Sequence, residues 1–467
     1  MRQATGDIGI ERKLLRRIAS HPGVPAFLRE LVARLEGSSL AYRLAHGAFW
    51  SLAGTALARS LALAASMVTA RFLGKAGYGE FGILSSTVLT FQAFASLGLA
   101  MTATRFVAGL RASDPARAGR ILGLSVVVSS GAGLLATGSL WLLASWLASR
   151  TLGAPQLAQP LRIASLSLLF TTMSSAQQGA LAGFEAFRWI TWLNFWSGLI
   201  GVPLAVVGVW LWGLEGAVWA LVATAAVQWL LTEVAVRQRA AEDRIAMDLR
   251  GFWRERSILW TFSLPALAQG IMVSPVSWAA SAILVNQPGG YPEMGAYSAA
   301  NQWYGAVLFL PAALGGAVLP VLSERIGQAD QTGARKVLRA AVVMNAAVVA
   351  PIVLAGSVAS PWIMRLYGPS FAAAWATLPV VLVTAGIVVL LNPVGNLLAA
   401  TNRLWLGFWM NAGWAVVLLA VTVLLVHWGA FGVAVARLIA YLVHAIWTVW
   451  FAVAFLRAAP AARSAAP

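Results

Sequence analysis

No cysteine occurs anywhere in the 467 residues, so disulfides, thiolate metal sites and thiol catalysis are excluded. Histidine is nearly as scarce. His21, His46, His427 and His444 are scattered, none pairs with another at ligand spacing, and neither a metal nor a cofactor is expected. Charged residues make up 10% of the chain, whereas a soluble domain carries roughly a quarter. Together with 60% hydrophobic residues and a mean hydropathy of +0.77, that shortage excludes a soluble globular fold. Acid is the rarer sign, 16 residues against 33 basic ones, for a formal charge of +17.

What is present is a succession of apolar segments, each near the roughly 20 residues that a helix needs to cross a bilayer. They fall at 47–72, 80–106, 119–148, 161–184, 189–212 and 216–236, then at 259–285, 295–322, 337–363, 371–400, 404–427 and 432–456. This predicts an all-α polytopic membrane protein of about twelve transmembrane helices. The domain organisation expected is a basic arm at 1–45, a six-helix lobe at 46–238, a linker at 239–257, a second six-helix lobe at 258–457 and a tail at 458–467. The arm is too long and basic for a secretory signal, and no small-residue cleavage site follows its first apolar stretch. Ile10, Leu14, Leu15 and Ile18 share one helical face, and Phe27, Leu28, Leu31, Val32 and Leu35 continue the period after Pro22 and Pro25. The arm reads either as amphipathic helices on an anionic leaflet or as a floppy basic tail.

The location of the basic residues interprets the charge. Only Arg71, Lys75, Arg150, Arg162 and Arg365 fall on the side opposite the N-terminus, while Arg59 and Arg437 lie inside spans. The positive-inside rule then places both termini in the cytoplasm. The charge is a topogenic signal, and no nucleic-acid partner is expected.

An internal repeat runs through the chain with a constant offset of 216 positions, as from Tyr78 to Met294. Tyr78-Gly79-Glu80-Phe81 recurs as Met294-Gly295-Ala296-Tyr297, Asp114 as Asp330, Gly179 as Gly395, and Gly213 and Gly216 as Gly429 and Gly432. Six spans per half is an even number, so the halves are parallel repeats about an axis along the membrane normal. In transporters of that kind the substrate sits between the halves.

The candidate site residues are polar groups inside spans. A guanidinium near mid-bilayer costs roughly 2.5–3.5 kcal/mol on insertion scales, so Arg59 in span 1 and Arg437 in span 12 are expected to face a cavity or a partner. No Asp or Glu falls near the middle of any span. A cavity with arginine and no carboxylate prefers an anion such as phosphate or pyrophosphate. Gln92, Gln178, Asn301, Gln302 and Asn396 suit sugar hydroxyls if they face the same cavity, or helix neighbours if they do not. Prolines such as Pro275, Pro311, Pro320 and Pro393 suggest bends in the second half, with or without motion. Trp189, Trp192, Trp196, Trp405 and Trp409 suit interfacial anchoring better than sugar stacking.

Ala70-Arg71-Phe72-Leu73-Gly74-Lys75-Ala76-Gly77-Tyr78-Gly79-Glu80-Phe81 resembles the signature that opens Wzx-type polysaccharide flippases of the multidrug/oligosaccharidyl-lipid/polysaccharide exporter superfamily. Leu97-Gly98-Leu99, Pro320-Val321-Leu322-Ser323 and Leu366-Tyr367-Gly368 are similar to further family positions. The resemblance implies a V-shaped, MATE-like pair of lobes that turns an undecaprenyl pyrophosphate-linked oligosaccharide across the membrane by alternating access. That cargo would serve O-antigen, capsule or other surface polysaccharide, with a polymerase and chain-length proteins as candidate partners. Arg59 is the first candidate for the pyrophosphate and Arg437 the second. No enzymatic activity is expected. The alternatives are a cation-coupled MATE-type exporter, which needs a mid-span carboxylate, and a polysaccharide polymerase or ligase, which needs a large outer loop.

Overall fold

A computed structural model describes residues 39–263, 271–314, 318–328, 330–401 and 403–457. Most of the expected basic arm and the tail at 458–467 lie outside the described residues. Gly54–Pro467 forms one compact unit, separate from Met1–Ala53, in which the described residues are helical.

Thirteen α-helices make up the described chain: α1 (Ser39–Ala95), α2 (Leu99–Leu110), α3 (Pro115–Trp146), α4 (Ala158–Gly183), α5 (Phe187–Glu242), α6 (Val273–Val285), α7 (Gly290–Leu314), α8 (Val318–Gly327), α9 (Gln331–Val358), α10 (Ser360–Tyr367), α11 (Thr377–Ala400), α12 (Leu404–Leu425) and α13 (Gly429–Arg457). Three stretches, Ala56–Ala95, Phe187–Glu242 and Trp405–Phe455, are each long enough for two crossings. Their breaks fall at Gly74 (φ 68°, ψ 179°), at Trp212 and Gly213, and at the 3-10 turn Val426–Trp428 with Gly429. With α3, α4, α7, α9 and α11, and with α6, whose 13 residues cover the outer part of span 7, these correspond to the twelve spans of two six-helix lobes.

Some boundaries differ from those read in the sequence. Span 2 is interrupted, because Leu97 (φ 46°) and Gly98 (φ 67°) take the left-handed region and α2 starts afresh at Leu99. Span 10 starts at Thr377, since Pro369–Ala374 is a 3-10 turn on the preceding connection. Of the prolines expected to bend helices, Pro311 and Pro320 flank the end of α7 and the start of α8 and Pro275 lies in the first turn of α6, whereas other breaks fall at glycine. Pro393 sits inside the uninterrupted α11, and α5 carries Pro203 without a break and departs from helical geometry only at Trp212 and Gly213. Glycine alone takes that backbone region without steric cost.

The repeat is visible in the backbone. Gly213 (φ 55°, ψ −127°) and Gly429 (φ 63°, ψ −139°) turn their chains in the same way, 216 positions apart. Asp114 caps α3 by accepting from the Arg117 amide at 2.9 Å, and Asp330 caps α9 by accepting from the Gly333 amide at 2.8 Å.

The lobes share a core at one end only. The largest buried cluster joins Tyr78, Ile83 and Leu84 of the first lobe with Ala296, Ala299, Met364 and Phe371 of the second. Toward the other end each lobe has its own cluster: Val107, Leu122, Leu181, Phe184 and Val236 in the first, and Leu338, Leu397, Met410 and Phe451 in the second. The pair is therefore V-shaped, with its shared core where Tyr78 lies; at the linker end the lobes have separate cores and meet only locally, where Thr102 and Phe106 of the first touch Ser263 and Phe262 of the second.

The linker belongs to the first lobe. α5 runs through Glu242, and the segment after it docks on α3, where the Asp248 amide donates to Gly119 O at 3.1 Å. Gly119 and Gly123 permit this approach, since a Cβ at either would lie about 2 Å from a linker carbonyl (2.0 Å from Ala246 O, 2.1 Å from Asp248 O). The buried Glu255 carboxylate accepts from Arg117 Nε at 3.1 Å and Arg120 Nε at 3.3 Å.

Candidate functional site

The closed end is built from the repeat signature. A Cβ on Gly79 would stand 1.9 Å from Tyr291 O, and one on Gly295 would stand 2.0 Å from Lys75 O. Only two facing glycines allow the outer ends of spans 2 and 8 to meet backbone to backbone. Beside them Tyr78 packs against Tyr367 and Phe371 with ring centroids 6.2 and 6.0 Å away, all three essentially fully buried. Lys75 Nζ meets Glu293 Oε1 at 2.7 Å, and Glu293 Oε2 accepts from the Ala430 amide at the start of α13 at 2.9 Å. Further along, span 2 is stitched to span 7, with Trp278 Nε1 donating to Thr87 Oγ1 at 2.8 Å.

The candidate residues converge on α7 below this closure. At 1.5 Å per residue, Asn301 and Gly305 lie about 9 and 15 Å along the helix from Gly295, near mid-bilayer depth. Asn301 and Gln302 are both exposed, although they sit in the middle of a spanning helix. Arg437, 8% exposed, donates from Nη1 to Asn301 Oδ1 at 2.7 Å, and its guanidinium carbon lies 3.9 Å from the Tyr304 ring centroid and 6.0 Å from that of Tyr441. Tyr297 OH lies 3.5 Å from the same nitrogen.

This cage is neutral. A desolvated cation–π contact contributes about 2 kcal/mol and a hydrogen bond to a charged group about 1.5–3 kcal/mol. Together these match the insertion cost of a mid-bilayer arginine without cancelling its charge. The buried Nε has no hydrogen-bond partner among the described residues.

Arg59 approaches the same helix from the other lobe. It is exposed, and its Nη1 lies 3.8 Å from where a Cβ on Gly305 would stand. The neighbouring Ala58 and Leu61 pack on Gly198 of span 5, so the arginine is turned toward the cleft by its own lobe. Glu233 of span 6 is nearly enclosed, but it is occupied by Arg237 and Gln177 within the first lobe.

Four of the seven candidates, Arg59, Asn301, Gln302 and Arg437, thus gather along one stretch of α7. The other three are placed differently. Gln92 is half-buried one turn before the break in span 2, where its carbonyl accepts from the Ser96 amide. Gln178 is half-buried on α4 beside Gly179, which packs directly on Ala100 within the first lobe. Asn396 is half-buried on α11 among Val394, Leu397 and Leu398 of the second lobe's own cluster. Sequence reading missed the tyrosine cage. Its signal was there: Tyr297, Asn301 and Tyr304 follow i, i+4, i+7 on one helix, and Arg437 and Tyr441 follow i, i+4 on another.

The fold and this cleft define a membrane transporter with paired six-helix lobes. The model of the family described as polysaccharide biosynthesis protein matches residues 44–325, and that of the family described as MatE matches 265–424. The chain belongs to the polysaccharide biosynthesis protein family, within the multidrug/oligosaccharidyl-lipid/polysaccharide exporter superfamily. It is 26% identical over 362 residues to the EPS I polysaccharide export inner membrane protein EpsE of Ralstonia nicotianae, a match that covers 75% of this chain and 80% of that protein. Among solved structures it is similar to an inward-facing multidrug resistance MATE family transporter, with a TM-score of 0.72, 16% identity, and coverage of 86% of this chain and 96% of that one. It is also similar to the lipid II flippase MurJ in an inward closed conformation, with a TM-score of 0.65, 12% identity, and coverage of 85% and 86%. The protein is a multi-pass inner-membrane transporter of polysaccharide export.

Proposed function

We propose that the chain is a flippase for an undecaprenyl pyrophosphate-linked oligosaccharide, acting as a carrier and not as an enzyme. The observation that carries this reading is the Arg437 guanidinium, buried at mid-depth in the second lobe and held by Asn301 and three tyrosines in place of a carboxylate. A full positive charge that its cage leaves uncancelled is a receptor for an anion. Arg59, in reach of the same helix, supplies a second cation from the opposite lobe, so one pyrophosphate can be gripped from both sides.

The neutral polar groups near it, Asn301 and Gln302, suit sugar hydroxyls, and the polyprenyl tail stays in lipid. With both termini and the linker in the cytoplasm, as the distribution of Lys and Arg supports, the divided end faces the cytoplasm and the Gly79–Gly295 closure faces the periplasm. The described state then receives cargo from the inner leaflet. A cation-coupled exporter would need a free carboxylate in this cleft, and among the described residues none bonds either arginine. The periplasmic partners this reading implies are a polymerase and chain-length proteins.

The test is Arg59→Ala and Arg437→Ala in cells that depend on this protein for surface polysaccharide, with membrane insertion checked by immunoblot. Accumulation of lipid-linked intermediate with loss of surface polymer is expected. Normal polymer production from both variants overturns the reading.

A further inference from the structure

A second unneutralised pair of arginines lies away from the cleft, at the closed end. A cavity of about 460 Å³ is lined by Ala70, Arg71 and Gly74 from the end of span 1 and by Arg365, Tyr367, Gly368, Pro369 and Ser370 from the second lobe. Its two walls belong to different lobes, and one hydrogen bond joins them, from Arg71 Nε to Leu366 O at 2.7 Å. The Arg365 side chain has no hydrogen bond or ion pair among the described residues, and the Nη groups of Arg71 are equally free there.

The other cations of this end lie outside the cavity, with Arg150 exposed on the first lobe. Lys75 is neutralised by Glu293, and Arg162 is spent on Ser145 and the Trp141 ring. The repeat-related junction on the opposite side of the pseudo-axis joins the lobes with neutral groups alone, since Asn286 Nδ2 donates to Thr151 O at 2.7 Å and Tyr291 OH to Leu152 O at 2.8 Å. Joining the lobes therefore needs no cation, and two guanidiniums lining one cavity repel each other unless something lies between them.

We propose that this cavity binds the phosphate group of an anionic membrane phospholipid, which bridges Arg71 and Arg365 and so ties the two lobes together at the closed end. Paired guanidiniums suit a phosphate, which accepts from both. A lipid is the source favoured by the surroundings, because the side chains next to the arginines, Phe72 and Leu366, are exposed and apolar (54% and 46%), as is Trp362 one turn before Arg365 (62%). Those faces suit acyl chains and glycerol, and free phosphate has no use for them. The site is independent of the cargo cleft, and it binds whether or not the transported molecule is a lipid-linked sugar.

The test uses the full chain purified in detergent. Its Tm is followed against short-chain phosphatidylglycerol, short-chain phosphatidylcholine, and inorganic phosphate or pyrophosphate. Wild type is expected to gain Tm with phosphatidylglycerol and with none of the others. Arg365→Gln is the deciding variant, since it removes a charge that bonds nothing and should fold normally. It should need about tenfold more phosphatidylglycerol for the same shift, while Arg365→Lys stays near wild type. Arg71→Gln should lose the response too, from a lower starting Tm, because it also gives up the bond to Leu366. A response of Arg365→Gln equal to wild type overturns the site. A response of wild type to inorganic phosphate alone overturns the lipid assignment, and the absence of any response overturns both.

Discussion

Gly79 and Gly295 occupy the same position of the two repeats, and the backbone beside each fills the space where a side chain of the other would stand. The closure of the transporter at this end is thus a contact between two copies of one sequence motif across the pseudo-two-fold axis. Opening the end means separating these backbones, the Tyr78–Tyr367–Phe371 packing and the Lys75–Glu293 pair.

A side chain at either glycine should wedge the end apart. Gly79→Val is expected to cost about 1–3 kcal/mol of the closed form through overpacking. Because the chain has no cysteine, paired cysteines placed on the two lobes at this end report the change directly. Their crosslinking yield should fall in Gly79→Val.

Arg437 should matter more for transport than for stability. Truncation to alanine removes the cage contacts and also the cost of holding a desolvated charge, and the two nearly cancel. A stability change within about 1 kcal/mol is expected, with transport lost. Arg437→Lys keeps the charge but cannot reproduce the flat stacking on Tyr304 together with the bond to Asn301. Its transport rate should fall on the order of tenfold. Thermal unfolding and lipid-linked intermediate accumulation, measured on the same variants, separate the two effects.

Glu255→Gln should loosen the linker. The substitution leaves Arg117 and Arg120 side by side without a counter-charge, and losing one partner of a buried pair costs roughly 3–5 kcal/mol. Here the arginines are 42% and 24% exposed, so solvent screening reduces the cost to about 1–2 kcal/mol. Limited trypsin digestion should cut faster at Arg254 and Arg256 in the variant.

The caps predict a pH response of known sign. The Gly333 amide holds the Asp330 carboxyl below its ordinary value of 3.8, and the Gly251 and Arg250 amides do the same for Asp248. A depressed folded-state value means that the stabilisation is complete above the unfolded value and disappears as pH falls through the folded one. Wild type and Asp330→Ala should therefore differ in Tm at neutral pH and converge below pH 3.8. A difference that persists unchanged into that acid range would show that the cap acts without its charge.

The class, the twelve spans and the duplication were all legible in the order of residues. Hydrocarbon thickness and backbone hydrogen bonding leave little choice once apolar runs of that length appear, and a constant offset of 216 residues needs no coordinates. The same reading marked Arg59 and Arg437, because a charge in a span is costly wherever it points. Which groups surround those charges was set by packing. Tyr304 and Asn301 lie more than a hundred residues from Arg437, and only the approach of α7 to α13 makes them its cage. The same holds for Gln178 and Asn396, which carry the same amide group as Gln302 yet sit within single lobes, since an amide's spacing along one helix does not say which neighbour that helix will meet. Helix breaks followed the same logic. Proline marked helix ends near Pro275, Pro311 and Pro320, but the breaks at Gly74, Gly98 and Gly213 were not singled out, and there the packing demands a backbone conformation that only glycine adopts freely.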